Sequence, residues 1–265
     1  MMPRASEHIS SSIQKLLYIG DSATGKTTSL FSLLTAGYKL RIFDYDNLLN
    51  PLISMARGKA PELLDNIEFM SFRDEYMTTA AGPIVPSPQA FTLGLKALDK
   101  WEDGSRPREW GDRTIVVLDS FTTMSRAAYF WAKMMQGAGT FAEGVPTKGY
   151  RPEQSYHTAQ QAIMNVVALL TADNFRCNVI VIAHLKYMER DGAVKGFPVA
   201  VGSAISPEIP TYFPAVALAT KNGDKRVIRT RSTNMIDLKD PRSFDRNLAE
   251  ELPMDTGLAT YFSKP

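Results

Sequence analysis

Apolar-rich runs recur along the chain, and the strongest of them end in a glycine, an acid or a histidine. Lys15-Leu16-Leu17-Tyr18-Ile19 closes on Gly20, residues 40–43 on Asp44, 114–118 on Asp119 and 178–183 on His184. Runs without polar alternation predict strands buried on both faces, as in a parallel sheet. Residues 66–70 form a weaker strand. Between the runs the apolar spacing lengthens to a helical period, which predicts helices over 27–34, 88–101, 125–135 and 155–172. Two stretches rich in glycine and proline, 136–152 and 186–214, read as long loops, and long loops inside compact domains tend to be functional. Residues 215–221 and 226–231 flank Asn222-Gly223, a strong hairpin signal.

Strands alternating with helices predict an α/β fold: a mostly parallel central sheet with helices on both faces and a late antiparallel hairpin near its edge. Ligands of such folds bind beyond the carboxyl ends of the strands, where Gly20, Asp44, Asp119 and His184 all fall. Residues 1–12, with three consecutive serines, read as a flexible arm; 13–240 form one domain; 241–265 are a tail of uncertain structure.

Composition narrows the function classes. In 265 residues, 44% hydrophobic and 22% charged, there is enough apolar surface for a sizeable core. A net charge of +2 means that any nucleic-acid binding must come from local clusters. The single cysteine, Cys177, excludes an internal disulfide and a multi-cysteine zinc site; beside an apolar run it is expected to be a buried thiol in a reducing compartment. The polar start and the lack of any apolar stretch of about 18–20 residues predict a soluble, cytoplasmic chain with no membrane partner.

Candidate chemistry begins at Gly20-Asp21-Ser22-Ala23-Thr24-Gly25-Lys26-Thr27, followed by Thr28. This matches the P-loop pattern, between a predicted strand and a predicted helix as that motif requires. Glycines let backbone N–H groups wrap phosphates and the helix start favours negative charge. ATP and Mg²⁺ are the expected cofactors, with Lys26 reaching the phosphates and Thr27 holding the metal. Asp119 is placed to hold the same Mg²⁺; its alternative reading, with Ser120, is a helix cap. Many P-loop ATPases carry a glutamate after this aspartate, and here Ser120 stands instead.

The general base must then lie elsewhere. Residues 42–51, Ile-Phe-Asp-Tyr-Asp-Asn-Leu-Leu-Asn-Pro, resemble the RecA-family segment in which a strand ends in D-x-E followed by a Leu-x-Pro turn, and Asp46 occupies the position of the catalytic glutamate. The order of P-loop, acidic strand end, Leu-Asp-Ser strand and polar-ended strand resembles RecA over residues 13–232, closest to phage-encoded RecA-like ATPases of the single-strand annealing and recombination group. The resemblance implies a RecA-like P-loop NTPase fold over 13–240 and a cytoplasmic location, the host's for a phage-encoded chain. Because aspartate is one methylene shorter than glutamate, Asp44 and Glu68 stay open as alternative bases.

His184 stands where RecA-like proteins usually carry a glutamine that senses the γ-phosphate; a solvated or core-satisfied histidine is the other reading. The two breaker-rich stretches correspond in order to the family's DNA-binding loops. They offer Lys133, Lys148, Tyr150 and Arg151, then Lys186, Tyr187, Arg190, Lys195 and Phe197. Cations that track phosphates and rings that stack on bases suit single-stranded DNA, while solvated surface charge is the plain alternative. Lys221, Arg229 and Arg231 on the late hairpin are candidates to reach a neighbouring subunit's nucleotide, with Arg229 and Arg231 on one strand face, or else edge-strand charges. The function implied is a DNA-stimulated ATPase acting on single-stranded DNA in recombination, annealing or replication, as a homo-oligomeric ring or filament, with a single-strand binding or annealing protein as a possible partner. A ring helicase motor or loader, and an ATP-dependent assembly switch without DNA, are the alternatives.

Overall fold

A computed structural model of the protein describes residues 13–80, 82–138, 151–190, 192–241 and 248–263. Its centre is an eight-stranded sheet of β1 (Lys15–Gly20), β2 (Lys39–Asp44), β3 (Ile67–Ser71), β6 (Gly111–Asp119), β7 (Cys177–Ala183), β10 (Ala215–Asn222), β11 (Lys225–Arg229) and β12 (Glu251–Pro253). The spatial order is β12-β11-β10-β1-β7-β6-β2-β3. The six strands from β10 to β3 run parallel, whereas β11 and β12 are antiparallel additions. The α/β fold and late hairpin expected from the apolar runs are therefore present.

Alternate residues of each parallel strand serve opposite cores, which is why the runs lack polar alternation. Leu17, Ile19, Phe43, Val116, Leu118, Val179 and Val181 face one side, covered by α4 (Ala90–Asp99), α5 (Phe121–Lys133) and α6 (Pro152–Thr171). Leu16, Tyr18, Leu40, Ile42, Val117, Ile180 and Ile182 face the other side. The chain turns through α1 (Lys26–Ser29) and α2 (Phe31–Thr35), which with α3 (Asn50–Lys59) and α8 (Gly257–Phe262) cover that second face. Leu258 and Phe262 of α8 are fully buried, each contributing about 1.5–3 kcal/mol.

Two expectations for loops need correction. Residues 134–138 continue α5 as a π-helical turn, where Gln136 bonds Thr158 and Ser155 of α6; residues 139–150 lie outside the described residues. The stretch 186–214 contains a hairpin of β8 (Leu185–Arg190) and β9 (Ala193–Pro198), then α7 (Ile209–Tyr212). Gly192 supplies the positive φ of 75° at the hairpin's turn. A separate small hairpin, β4 (Met77–Thr79) with β5 (Gly82–Ile84), follows β3.

Register places the chemistry. Gly20 pairs with Ala219, Ile19 with Ala183, Asp44 with Asp119, and Asp119 with Ile182, so β1, β2, β6 and β7 end level with one another. The loops after these four strands share one end of the sheet.

Candidate active site

The loop after β1 is shaped by its small residues. A Cβ on Gly20 would stand 2.5 Å from the Ala219 carbonyl oxygen, so only glycine lets β1 leave the sheet this close to β10. Ala23 (φ 61°) and Gly25 (φ 91°) adopt left-handed conformations that curl the chain before α1. The first N–H groups of a helix lack intrahelical acceptors, and here they follow that curl, giving the backbone an anion cradle. Thr24 Oγ1 donates to Asp21 O at 2.8 Å and Thr28 Oγ1 to Gly25 O at 2.9 Å, bracing both sides of the turn.

Inside the loop, Lys26 Nζ donates to Gly20 O (2.8 Å) and Asp21 O (2.7 Å). Burial pulls its pKa below the usual lysine value, opposed by Asp119, Asp21 and Asp46. Thr27 Oγ1 donates to Asp119 Oδ2 at 2.7 Å. Asp119 is 5% exposed, and loss of hydration pushes its carboxyl up to about 6 despite the Thr27 bond; Asp46 and Asp44 push the same way. A buried carboxylate held short of countercharge beside a hydroxyl is an all-oxygen donor set that fits Mg²⁺. Among the described residues no group of three His, Cys, Asp or Glu could hold a metal, so such a cation would complete its shell with phosphate oxygens and water.

Asp46 faces this pair from the turn leaving β2. Asp44 Oδ1 accepts from Asn47 N at 2.6 Å, with Asn47 at φ 54°, and Asp119 O accepts from Tyr45 N at 2.7 Å. The turn is thereby tied to β6. Ser120, the N-cap of α5, donates from Oγ to Asp46 Oδ1 at 3.0 Å, and Thr123 Oγ1, one turn on, donates to the same oxygen. Asp46 Oδ2 lies 3.9 Å from His184 Nε2. His184 is anchored through its own backbone, N donating to Thr122 Oγ1 (3.1 Å) and O accepting from Val199 N (2.8 Å). Burial, and then the Lys26 charge, lower its pKa, so the imidazole is neutral near pH 7.

The alternative carboxylates are placed differently. Asp44 is 2% exposed, accepts from Asn47 and Ser71, and is pushed up by burial. Glu68 pairs with Lys39 and Arg41 three residues before the end of β3, roughly 10 Å down the sheet. Of the three, only Asp46 meets Lys26, Asp119 and His184.

The remaining candidates are dispersed. Lys186, Arg190 and Lys195 share one face of the β8–β9 hairpin, with Phe197 opposite Lys186; Tyr187 is on the other face beside Gly196. Lys186 Nζ reaches Gly202 O at 3.4 Å and Lys195 Nζ pairs with Asp237 at 3.2 Å. Arg151 is exposed at the start of α6, while Lys148 and Tyr150 lie outside the described residues. Lys221 is exposed on β10. The expected shared strand face of Arg229 and Arg231 does not form: β11 ends at Arg229, whose guanidinium pairs with Glu250 and Glu251.

Sequence reasoning missed four contributors. Arg226 and Met254 pack beside the P-loop: a Cβ on Gly25 would lie 3.3 Å from Arg226 Cδ and 3.5 Å from Met254 Cγ. The opposition of Arg226 to Lys221 across Asn222-Gly223 was the available signal for the first. Thr123 and Arg73 hold Asp46, the latter donating from Nη2 to its carbonyl at 2.7 Å; neither belongs to a motif.

A family model described as an AAA domain matches residues 12–242. No curated protein matches the sequence. Among solved structures, similarity is found to a prototypical ATPase from the type III secretion system of pathogenic bacteria, at 13% identity and TM-score 0.43, over 78% of this chain and 51% of that one. The assembled ATPase EscN, solved with its central stalk EscO from the type III secretion system of enteropathogenic E. coli, gives 14% identity and TM-score 0.44 over 80% and 43%. The ATP synthase subunit NeqB from Nanoarcheaum equitans gives 10% identity and TM-score 0.37 over 78% and 47%. The chain spans about half the length of these structures.

Proposed function

The chain belongs to the AAA domain family, and from that premise we propose that it binds Mg²⁺–ATP at residues 20–28, hydrolyses it with Asp46 as the water-orienting carboxylate, and is stimulated by single-stranded DNA. The observation that carries the hydrolytic part is the convergence of Lys26, the Thr27–Asp119 pair and Asp46 on one end of the sheet. Bound Mg²⁺, held by Thr27 and Asp119, would neutralise charge on the transferred phosphoryl group. Lys26 exchanges its two loop carbonyls for phosphate oxygens. Asp46, with Oδ1 fixed by Ser120 and Thr123, offers Oδ2 to a water. Neutral His184 beside it donates an N–H to the γ-phosphate and so senses it.

The DNA part is supported by connectivity. The β8–β9 hairpin begins one residue after His184 and carries three cations on one face, so a strand held there would act on the imidazole that neighbours Asp46. In this reading the chain works in recombination, annealing or replication, as in RecA-like proteins, and as an oligomer.

Steady-state ATP turnover tests the hydrolytic assignment. Lys26→Ala should abolish it, and Asp46→Asn should retain ATP binding but lower kcat by about 10²-fold or more. Wild-type turnover in Lys26→Ala would overturn the nucleotide site, and wild-type kcat in Asp46→Asn would move the base to another group.

A further inference from the structure

Beside Asp46, a cleft of about 250 Å³ with no P-loop residue in its lining opens between residues 72–76 and α5. That is slightly below the span of ligand pockets, roughly 300–1,000 Å³, and suits a small unit. Tyr45, Phe72, Tyr76 and Phe130 supply rings, and Arg73 and Arg126 supply guanidinium groups. Arg126 lies over the Phe130 ring at 5.6 Å, and Tyr76, 58% exposed, meets the edge of the same ring at 6.3 Å. The one acid in the lining, Asp74, is committed elsewhere, accepting from Gln89 N and Ala90 N at the start of α4. Neither Arg73 nor Arg126 forms an ion pair among the described residues. The cleft therefore combines aromatic faces with two guanidinium groups against one carboxylate, a net positive charge.

Both walls of the cleft reach the candidate base. Arg73 donates to the Asp46 carbonyl from one side, and Thr123, one helical turn before Arg126 and Ala127 on the lining face of α5, donates to its carboxylate from the other. An arginine that turned to an anion would release the Asp46 backbone. A ring inserted against Phe130 would shift the face of α5 that carries Thr123.

We propose that this cleft is an effector site for a nucleotide unit, a base with its phosphate, and that its occupancy is passed to Asp46 through Arg73 and Thr123. Rings take the base by stacking and the guanidinium groups take the phosphate by paired N–H donors. A free mononucleotide and a nucleotide of a single strand carry the same chemistry. The coupling rests on Asp46 as the hydrolytic carboxylate, whereas binding at the cleft does not.

The test uses the full chain with its P-loop filled by Mg²⁺ and a non-hydrolysable ATP analogue. Fluorescent etheno-AMP and a fluorescein-labelled short oligothymidylate are titrated separately. At least one should bind; Arg126→Gln and Phe130→Leu, checked for an unchanged thermal midpoint, should weaken it roughly tenfold or more. The bound probe should also change ATP turnover in the wild type and not in Arg126→Gln. Binding of etheno-AMP alone assigns a free nucleotide, and binding of the oligomer alone assigns the single strand. Failure of both probes, or affinity unmoved by both cleft variants, overturns the site. Binding without any change in the turnover of an active enzyme overturns the coupling. If the wild type hydrolyses no ATP, the hydrolytic reading fails and the binding arm still decides the cleft.

Discussion

Asp119 shows how a functional group can oppose stability. Its pKa rises from 3.8 to about 6 on burial, so the folded protein prefers the protonated carboxyl, the reverse of a salt-bridged aspartate. The resulting cost is absent below pH 4, grows as pH rises through the folded pKa, and is complete above about pH 6, where a shift of roughly two units corresponds to up to about 3 kcal/mol. Asp119→Asn should therefore stabilise the metal-free protein at pH 7 but not at pH 4, by urea melts, while abolishing turnover. Equal stability of the two proteins at pH 7 would contradict the buried charge. Mg²⁺ binding, measured calorimetrically, should weaken as pH falls below 6 because the proton competes for the same oxygen. Gly94 makes a second residue-scale prediction. A methyl group there would overlap the hydroxyl of Tyr45, which precedes Asp46. Overpacking costs typically 1–3 kcal/mol, more than the ~1 kcal/mol that alanine gains in a helix. Gly94→Ala should lower both stability and kcat, and Tyr45→Phe in the same chain should restore part of each; no rescue would mean that the Tyr45 contact does not set the Asp46 turn.

At the scale of elements, legibility followed burial. The runs ending at Gly20, Asp44, Asp119 and His184 were readable because their strands are covered on both faces, which leaves long apolar stretches with polar ends. The β8–β9 hairpin was not, because both its faces mix polar and apolar residues and only Gly192 marks its turn. The support of Asp46 was equally hidden, since Ser120, Thr123 and Arg73 approach from two other elements and share no spacing with it. The hairpin is also where the DNA reading is most exposed to test. Replacing Lys186, Arg190 and Lys195 by glutamine should reduce the salt dependence of oligonucleotide binding by about 0.7 in log–log slope for each phosphate no longer neutralised. An unchanged slope would move the DNA to another surface.

Over the whole molecule, the family match ends at residue 242, yet β12 completes the sheet edge and α8 seals one face of the core. A three-residue strand and a six-residue helix are too short for periodicity to reveal, which left this region without a predicted structure. Removing residues 241–265 uncovers the partners of Leu258, Tyr261 and Phe262, a loss of several kcal/mol against a total of about 5–15 for a typical domain. The truncated chain should lose most of its cooperative thermal transition, and a wild-type midpoint would contradict this role for α8. Met254, which packs beside the P-loop, leaves with the same segment, so the edge addition also supports the site. ATP turnover at that site should respond to a single strand held on the hairpin beyond His184. The direct measurement is the steady-state ATPase rate of the purified chain across a titration of single-stranded DNA, with Lys26→Ala as the zero. A several-fold, saturating rise that high salt suppresses is the predicted result, and a rate that stays flat across the titration would contradict it.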